Sequence, residues 1–175
     1  MKRSKRICLL LGVLCIVCIA ALIALHVEEE KERISNSNEV ILEIPSDTVQ
    51  SLSWEYEDTS LSFHKEGEWF YDSDTTFPVD ETKIYEMLEQ FQSFEASFII
   101  EGVEDYFQYG LSSPVCTINL STEETSYEIL LGDFSNMDSE RYVSIGDGNV
   151  YLVPEDPINY FDAVLSDMID HDETP

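Results

Sequence analysis

The stretch that most resembles a chemical site is the run DSDTT at residues 72–76, because alternating carboxylate and hydroxyl oxygens suit a calcium ion. A calcium loop of this type needs a glycine at the sixth position, which is Phe77 here, and a bidentate glutamate at the twelfth, which is Lys83. The match therefore fails at both positions. The other acids are scattered along the chain, so we expect weak, unspecific binding of divalent cations and no dedicated metal site.

Histidine and cysteine residues are too dispersed for a zinc or nucleophilic site. His26, His64 and His171 lie far apart, whereas zinc sites draw on clustered ligands. Cys116 alternates with Ile118 along a predicted strand, so we expect its thiol to lie in the core. The sequence contains no Gly-x-Ser-x-Gly elbow and no glycine-rich phosphate loop. We therefore predict a protein that is not an enzyme and takes no cofactor.

A cluster of aromatic residues could bind a sugar if it were exposed. Trp54, Trp69, Phe70 and Tyr71 carry flat apolar rings of the kind on which sugars stack. The alternation of apolar and polar residues instead favours core positions for both tryptophans. Stacking on a sugar is therefore the less favoured interpretation of this cluster.

Arg141 is the only cation after Lys83, which makes it a candidate for binding an anion. Three acids, Asp133, Asp138 and Glu140, lie close to it in sequence. An ion pair with one of these neighbours is the simpler interpretation of this arginine.

The N-terminal segment indicates on which side of a membrane the rest of the chain lies. A basic tail at residues 1–6 precedes an uncharged, mostly apolar run at 7–26, and three glutamates follow at 28–30. A run of this length can cross the roughly 30 Å hydrocarbon core of a bilayer, and the basic flank favours a cytoplasmic N-terminus. The residues around the run fit neither a signal-peptide cleavage site nor a lipidation site. We therefore predict an uncleaved, single-pass signal anchor in the plasma membrane, with the C-terminal part extracytoplasmic.

Charge is distributed unevenly on the two sides of this run. The chain has a formal net charge of −27, and four of its nine Lys and Arg residues precede the run. All 36 acids follow it, together with only five cations. Such a field repels nucleic acid and anionic lipid headgroups, so we predict no nucleic-acid partner and favour cationic partners.

Beyond the membrane segment we predict a polar stalk at 27–38, one domain at 39–170 and a disordered tail at 171–175. Period-two alternation in the first half predicts strands at 40–44, 52–56, 61–63 and 69–71. A helix capped by Asp80 follows, with an apolar stripe that extends to Phe94.

We predict that the second half repeats this plan. Strands are predicted at 116–120, 127–131, 141–145 and 150–153, the last two joined by a hairpin at Asp147-Gly148. A second amphipathic helix is predicted from Asp156 to Met168. We therefore predict an α+β fold, in which an antiparallel β-sheet and amphipathic helices form two strands-then-helix repeats.

The connector between the two halves carries a family resemblance. A tyrosine-glycine-leucine motif lies at residues 109–111, and a proline follows at 114. Four strand patterns come after them, at residues 115–120, 129–133, 141–143 and 150–152. This arrangement, over about residues 40–165, resembles the bacterial family called domain of unknown function 4340. The matching positions that we single out are Trp69, Asp80, Tyr109, Gly110, Leu111, Pro114, Gly132 and Tyr142.

The resemblance implies a membrane-anchored or exported protein of the bacterial cell envelope. Some members of the family accompany ABC-type transporters, and no catalytic or ligand residue is established for it. The matching positions are therefore expected to be turn and core positions.

Taken together, these features predict a non-enzymatic, membrane-anchored interaction or accessory module for an ABC-type transporter or another envelope complex. A ligand-binding module for a cell-wall sugar or a cationic solute is the alternative. A hydrolase would need a cleft with two poised carboxylates, and a chain with 36 acids offers too many pairs to select one from sequence.

Overall fold

The computed structural model describes residues 33–169. The predicted basic tail at 1–6, the signal anchor at 7–26 and the tail at 171–175 lie outside the described residues. Within the described part, no helix is long and apolar enough to span a membrane.

A nine-stranded β-sheet dominates residues 33–169. Its strands are β1 (Arg33–Leu42), β2 (Val49–Tyr56), β3 (Thr59–Glu66), β4 (Glu68–Tyr71), β5 (Phe94–Glu101), β6 (Cys116–Thr122), β7 (Ser126–Ser135), β8 (Glu140–Ser144) and β9 (Val150–Val153). They lie in the order β1-β5-β9-β8-β7-β6-β2-β3-β4. All pairings from β5 across to β4 are antiparallel. The predicted antiparallel sheet is thus confirmed, in a fold that is mostly sheet with few helices.

The alternation in the sequence determines which strand face is buried. In β2 and β3, Leu52 lies opposite Phe63 and Trp54 lies opposite Leu61, and all four are buried. Side chains at successive strand positions point to opposite faces, so these residues form one apolar surface against the helices.

Helix α1 (Glu81–Glu89) begins as predicted but ends earlier. The Asp80 carboxylate accepts a hydrogen bond from the backbone N–H of Thr82 at 2.9 Å, which caps the helix. The predicted apolar stripe overruns the helix, because Phe91 lies in the following turn and Phe94 begins β5. Strand β5 was not predicted. It forms because Phe98 and Ile100 pair with β9 across the sheet.

The predicted second helix is much shorter than expected. Helix α2 (Ile158–Phe161) has one turn, and a separate 3-10 turn follows at Leu165–Met168. Val164 between them is extended. The following chain is extended again, because Ile169 pairs with Val79 and the carbonyl of Met168 accepts from the N–H of Asp80 at 2.8 Å. Pairing with the chain before α1 thus replaces helix continuation.

The runs of strands that precede the two helices differ in length. The first half contributes the meander β2-β3-β4 followed by α1, and the second contributes β6-β7-β8-β9 followed by the shorter α2. Strand β1 begins at Arg33, within the segment that the sequence assigns to a stalk.

Apolar side chains cover both faces of the sheet at β9. Tyr151 and Val153 face the main core, whereas Val150 and Leu152 face a second, smaller cluster. All four are buried, which explains why β9 is a continuous apolar run rather than an alternating one.

Candidate functional site

The connector at residues 102–114 contributes Val103, Tyr109 and Leu111 to the second apolar cluster. Its 3-10 turn (Phe107–Tyr109) ends at Gly110, whose φ of 71° lies in the left-handed region, as the predicted helical turn requires. Tyr109 and Leu111 are buried beside the sheet, and the rings of Tyr109 and Tyr142 lie 5.0 Å apart. The tyrosine-glycine-leucine motif therefore lies against the sheet.

Two glycines allow this close approach. A Cβ on Gly132 of β7 would lie 2.2 Å from the carbonyl oxygen of Tyr109 and 3.0 Å from Cγ of Leu111. A Cβ on Gly110 would lie 2.6 Å from the side chain of Asp133. Such distances are far below van der Waals contact, so both positions need a residue without a side chain.

The other positions singled out from the sequence lie in different parts of the domain. Trp69 is buried in the main core, and Asp80 caps α1. Pro114 is half-buried just before β6, and Tyr142 is half-buried against the second cluster. The structure brings together Tyr109, Gly110, Leu111, Gly132 and Tyr142, and it leaves Trp69 and Asp80 in the main-core layer.

Arg141 lies at the edge of this arrangement and is 9% exposed. Its Nε donates to Oδ1 of Asp156 at 2.9 Å, and its Nη2 donates to Oδ2. Nη1 donates to the carbonyl of Gly132 at 2.8 Å. Its Cζ lies 5.4 Å from the ring centroid of Phe134. Arg141 thus joins β7, β8 and the segment before α2.

The predicted ion pair of Arg141 exists, but its predicted partner was wrong. The partner is Asp156, not Asp133, Asp138 or Glu140. Arg141 pairs with Val153 across the β8–β9 hairpin, which brings the residues that follow β9 close to its side chain. The hairpin signal at Asp147-Gly148 indicates that the residues after β9 return to Arg141. Closeness in sequence alone pointed to the wrong acids.

Both carboxylate oxygens of Asp156 are engaged by hydrogen bonds. Its Oδ1 also accepts the backbone N–H of Ile158 at 3.1 Å, which helps to start α2. A buried, bidentate pair of this kind is a structural link, so its groups are not free to hold an external ion.

Cys116 lies in the core, as predicted, and is 1% exposed. Burial raises the pKa of its thiol to about 12; the charge of Arg141 opposes this rise and that of Asp156 adds to it.

We expect Cys116 in the folded protein to react with iodoacetamide at pH 8 at least about a thousandfold more slowly than in the unfolded chain, because the thiolate is the reacting form. Mass spectrometry of the Cys116 peptide distinguishes it from the three N-terminal cysteines. Equal rates before and after unfolding would contradict the buried position.

A surface groove of about 530 Å³ opens beside the Arg141–Asp156 pair. We call it the Tyr160 groove; its lining includes Phe134, Ser139, Pro154, Glu155, Asn159 and Tyr160. Phe134 and Tyr160 are each 39% exposed, and Met137, in the turn between β7 and β8, is 93% exposed. Sequence patterns did not predict this groove, since its residues come from three separate segments.

A second groove, of about 510 Å³, lies at the β6–β7 turn and the start of β2. We call it the Glu123 groove; its acids are Asp47, Glu123 and Glu124. Within the described part of the chain, no group of three or more His, Cys, Asp or Glu side chains is arranged to hold a metal.

A serine, a histidine and an aspartate meet on β3 and the chain after β4. Nδ1 of His64 lies 2.5 Å from Oδ1 of Asp72, and the hydroxyl of Ser62 donates to Oδ2. Desolvation opposes ionisation of Asp72, but the bonds from Ser62 and His64 together lower its pKa. Asp72 accepts from both residues, whereas a catalytic relay needs the histidine between the serine and the aspartate. The arrangement therefore resembles a surface hydrogen-bond cluster.

The tryptophans considered for sugar stacking are buried. Trp54 and Trp69 are 0% and 3% exposed, and Trp54 stacks on Phe63. Neither ring is accessible to a sugar, as the alternation in the sequence predicted. Phe70 and Tyr71 are half-buried, and Phe70 stacks on His64 with ring centroids 5.8 Å apart.

Asp147 organises the β8–β9 turn. Its carboxylate accepts the backbone N–H of Asn149 at 3.1 Å and the hydroxyl of Tyr151. Burial, followed by the bond to Asp147, raises the pKa of Tyr151 to about 12.

This pKa makes the stability of the protein sensitive to alkali. In the unfolded chain Tyr151 loses its proton near pH 10, but in the folded protein only near pH 12. The neutral hydroxyl therefore stabilises the fold below pH 10, and this contribution is lost as the pH rises towards 12. We expect the thermal midpoint to fall more steeply over this range in the wild type than in Tyr151→Phe. Parallel slopes would contradict this assignment.

Comparisons with known proteins identify one family. The family model described as Domain of unknown function (DUF4340) matches residues 69–174. No curated protein and no solved structure matches the chain. The matched region contains all eight positions singled out from the sequence, including the 109–111 motif and Gly132. The chain therefore belongs to the DUF4340 family.

Proposed function

We propose that this chain is a membrane-anchored, extracytoplasmic interaction module of the bacterial cell envelope, not an enzyme, and that it assembles with an ABC-type transporter or another envelope complex. The observation that carries this proposal is the exposed aromatic surface at the Tyr160 groove. Phe134 and Tyr160 are solvent-exposed and line the groove, and Met137 is exposed on the turn after β7. The other exposed large apolar residues of the described part are Val40, Phe107, Val115 and Val164, and none of these lines the groove. Exposed apolar groups rimmed by polar ones are typical of protein-binding surfaces.

The sequence supports the membrane part of the proposal. The run at 7–26 is long enough for a transmembrane helix, and the basic residues at 1–6 favour a cytoplasmic N-terminus. The α+β domain, with its two strands-then-helix repeats, would then project from the outer surface of the plasma membrane.

A protease test checks this topology. We expect the protein to stay in the membrane pellet after alkaline extraction, and protease added outside intact spheroplasts to digest it. A fusion tag before Met1 should survive that digestion, whereas a tag after Pro175 should not. Release by alkali, or the opposite pattern of tag survival, would contradict the proposed anchor.

Co-purification tests the interaction itself. Full-length protein is isolated from its native membrane in mild detergent, and co-purifying proteins are identified and quantified by mass spectrometry. A variant truncated after residue 32 is the control, because it retains the apolar run without the described domain. We expect a stoichiometric membrane protein with the full chain and not with the control. A solitary full-length protein would reject the proposal.

A ligand-binding module is the second candidate, and the burial of Trp54 and Trp69 leaves its cationic-solute version rather than its cell-wall-sugar version. The Glu123 groove favours the cationic version, since three carboxylates, Asp47, Glu123 and Glu124, line it. Calorimetry with spermidine tests this role. Saturable binding that Glu123→Gln removes would support it, whereas heats that vanish with added salt alone would indicate unspecific charge attraction.

A further inference from the structure

We propose that the Tyr160 groove binds an arginine side chain presented by the partner protein. This inference rests on the proposed interaction role and names the surface and the chemistry of the partner segment. The partner group is a guanidinium flanked by apolar residues.

The walls of the groove suit a planar cation. Phe134 and Tyr160 each expose 39% of their surface. A guanidinium binds favourably against an aromatic face, and arginine does so more often than lysine. Phe134 already accepts such a contact from inside the domain, since Cζ of Arg141 lies 5.4 Å from its ring centroid.

The rim of the groove supplies an acceptor that is not yet used. The carboxylate of Glu155 is exposed and forms no hydrogen bond or ion pair within residues 33–169. The side-chain amide of Asn159 is also without a partner in this part of the chain. Asp156, by contrast, has both oxygens engaged and its charge paired, by Arg141 and the N–H of Ile158. A charge-assisted hydrogen bond from an incoming guanidinium to Glu155 is therefore available.

Among residues 39–169, no cation is free to fill this groove. Within residues 39–169 the cations are Lys65, Lys83 and Arg141. Lys65 donates to the hydroxyl of Tyr85 at 2.9 Å, Lys83 pairs with Glu86 at 2.9 Å, and Arg141 pairs with Asp156. We therefore assign the cation to another molecule, which the acidic surface attracts and whose approach it speeds.

Charge also decides which class of molecule supplies the cation. The acids of the domain repel the phosphates of lipid headgroups and nucleic acids, and the apolar walls suit a protein segment better than a small hydrophilic cation such as spermidine. The apolar walls favour a segment in which leucine-like residues flank the arginine. Met137, which is 93% exposed, lies in the turn between the groove residues Phe134 and Ser139 and offers a flexible apolar side chain to such flanking residues.

A peptide titration tests the groove directly. The full-length chain in mild detergent is titrated with fluorescein-labelled Gly-Leu-Arg-Leu-Gly amide, followed by fluorescence anisotropy, and with Gly-Leu-Glu-Leu-Gly amide as the matched probe. We expect the arginine peptide alone to bind, and Glu155→Arg to weaken it by about tenfold or more. Tyr160→Ala should weaken it to a similar degree through loss of stacking.

Glu124→Arg is the matched control variant, because it introduces the same charge change at an exposed acid of the Glu123 groove. It should change the affinity less than about twofold. Equal weakening by both arginine variants would overturn the proposal in favour of general charge attraction. Equal binding of the two peptides would overturn it as well.

Co-purification with the same variants separates this inference from the proposed function. If Glu155→Arg loses the native partner and Glu124→Arg keeps it, both stand. If Glu155→Arg keeps the partner in full, the groove assignment fails while the interaction role stands. If the wild type has no partner but binds the arginine peptide through Glu155, the interaction role fails while the chemistry of the groove stands.

Discussion

Replacing Arg141 with methionine is expected to lower the free energy of unfolding by about 3 kcal/mol or more. The methionine fills a similar volume but leaves the carboxylate of Asp156, whose side chain is only 16% exposed, without its cation. It also removes the donor to the carbonyl of Gly132. Leaving a buried charge or carbonyl without a partner destabilises the folded state by its full desolvation penalty. That penalty is larger than the net stabilisation that the hydrogen bond contributed. Urea denaturation of the purified protein measures the change.

A double-mutant cycle identifies the cause of that loss. The double variant Arg141→Met, Asp156→Asn should lose clearly less unfolding free energy than the sum of the two single variants. The reason is that Asp156→Asn removes the carboxylate charge that Arg141→Met leaves unpaired. Arg141→Lys should not restore stability, since an ammonium cannot reproduce the fork to both oxygens of Asp156. Additive costs in the cycle would show that the two residues are not coupled.

Replacing Gly132 with alanine is expected to destabilise the protein by about 3 kcal/mol, at the upper end of the usual cost of overpacking. The new methyl group would lie 2.2 Å from the carbonyl oxygen of Tyr109, which is a backbone atom that no rotamer change can move. Either β7 or the 109–111 motif must shift. The loss should therefore be accompanied by a change in the near-ultraviolet circular dichroism of the Tyr109–Tyr142 pair.

Gly67→Ala provides the matched control for this experiment. A Cβ at Gly67 meets no atom within 4 Å, although its φ of +88° disfavours any side chain. We expect a cost of about 1–2 kcal/mol from backbone strain alone, with the tyrosine signal unchanged. Similar losses at both glycines would contradict the close contact between Gly132 and Tyr109.

These two predictions meet at one residue of β7. The carbonyl of Gly132 accepts a hydrogen bond from the guanidinium of Arg141, and the Cα of Gly132 faces the backbone of Tyr109. The strand pairing with β8 is irregular between Leu131 and Phe134, which is where both contacts are made. The 109–111 motif, Gly132 and Arg141 thus act as one packing unit, although they are spread along the chain.

The sequence by itself determined the elements whose signals are local. Alternation placed β2, β3, β6 and β7 and predicted buried positions for Trp54, Trp69 and Cys116. The sequence also indicated Asp80 as the N-cap of α1 and Asp147-Gly148 as the turn of the β8–β9 hairpin. Each of these follows from hydrogen bonds or side-chain directions within a few residues. The family resemblance was also read from sequence, and the family model confirms it.

Tertiary structure alone decided which distant segments meet. Strand β5 was missed because its first residue, Phe94, continues the apolar stripe of the helix, and because its partner β9 lies about 50 residues further along the chain. The second helix stops after one turn because the chain beyond it pairs with Val79. Asp156 became the partner of Arg141, and the Tyr160 groove formed, through contacts between segments that no local pattern relates. Local periodicity specifies which face of an element is buried, whereas the partner of that face depends on the packing of the whole sheet.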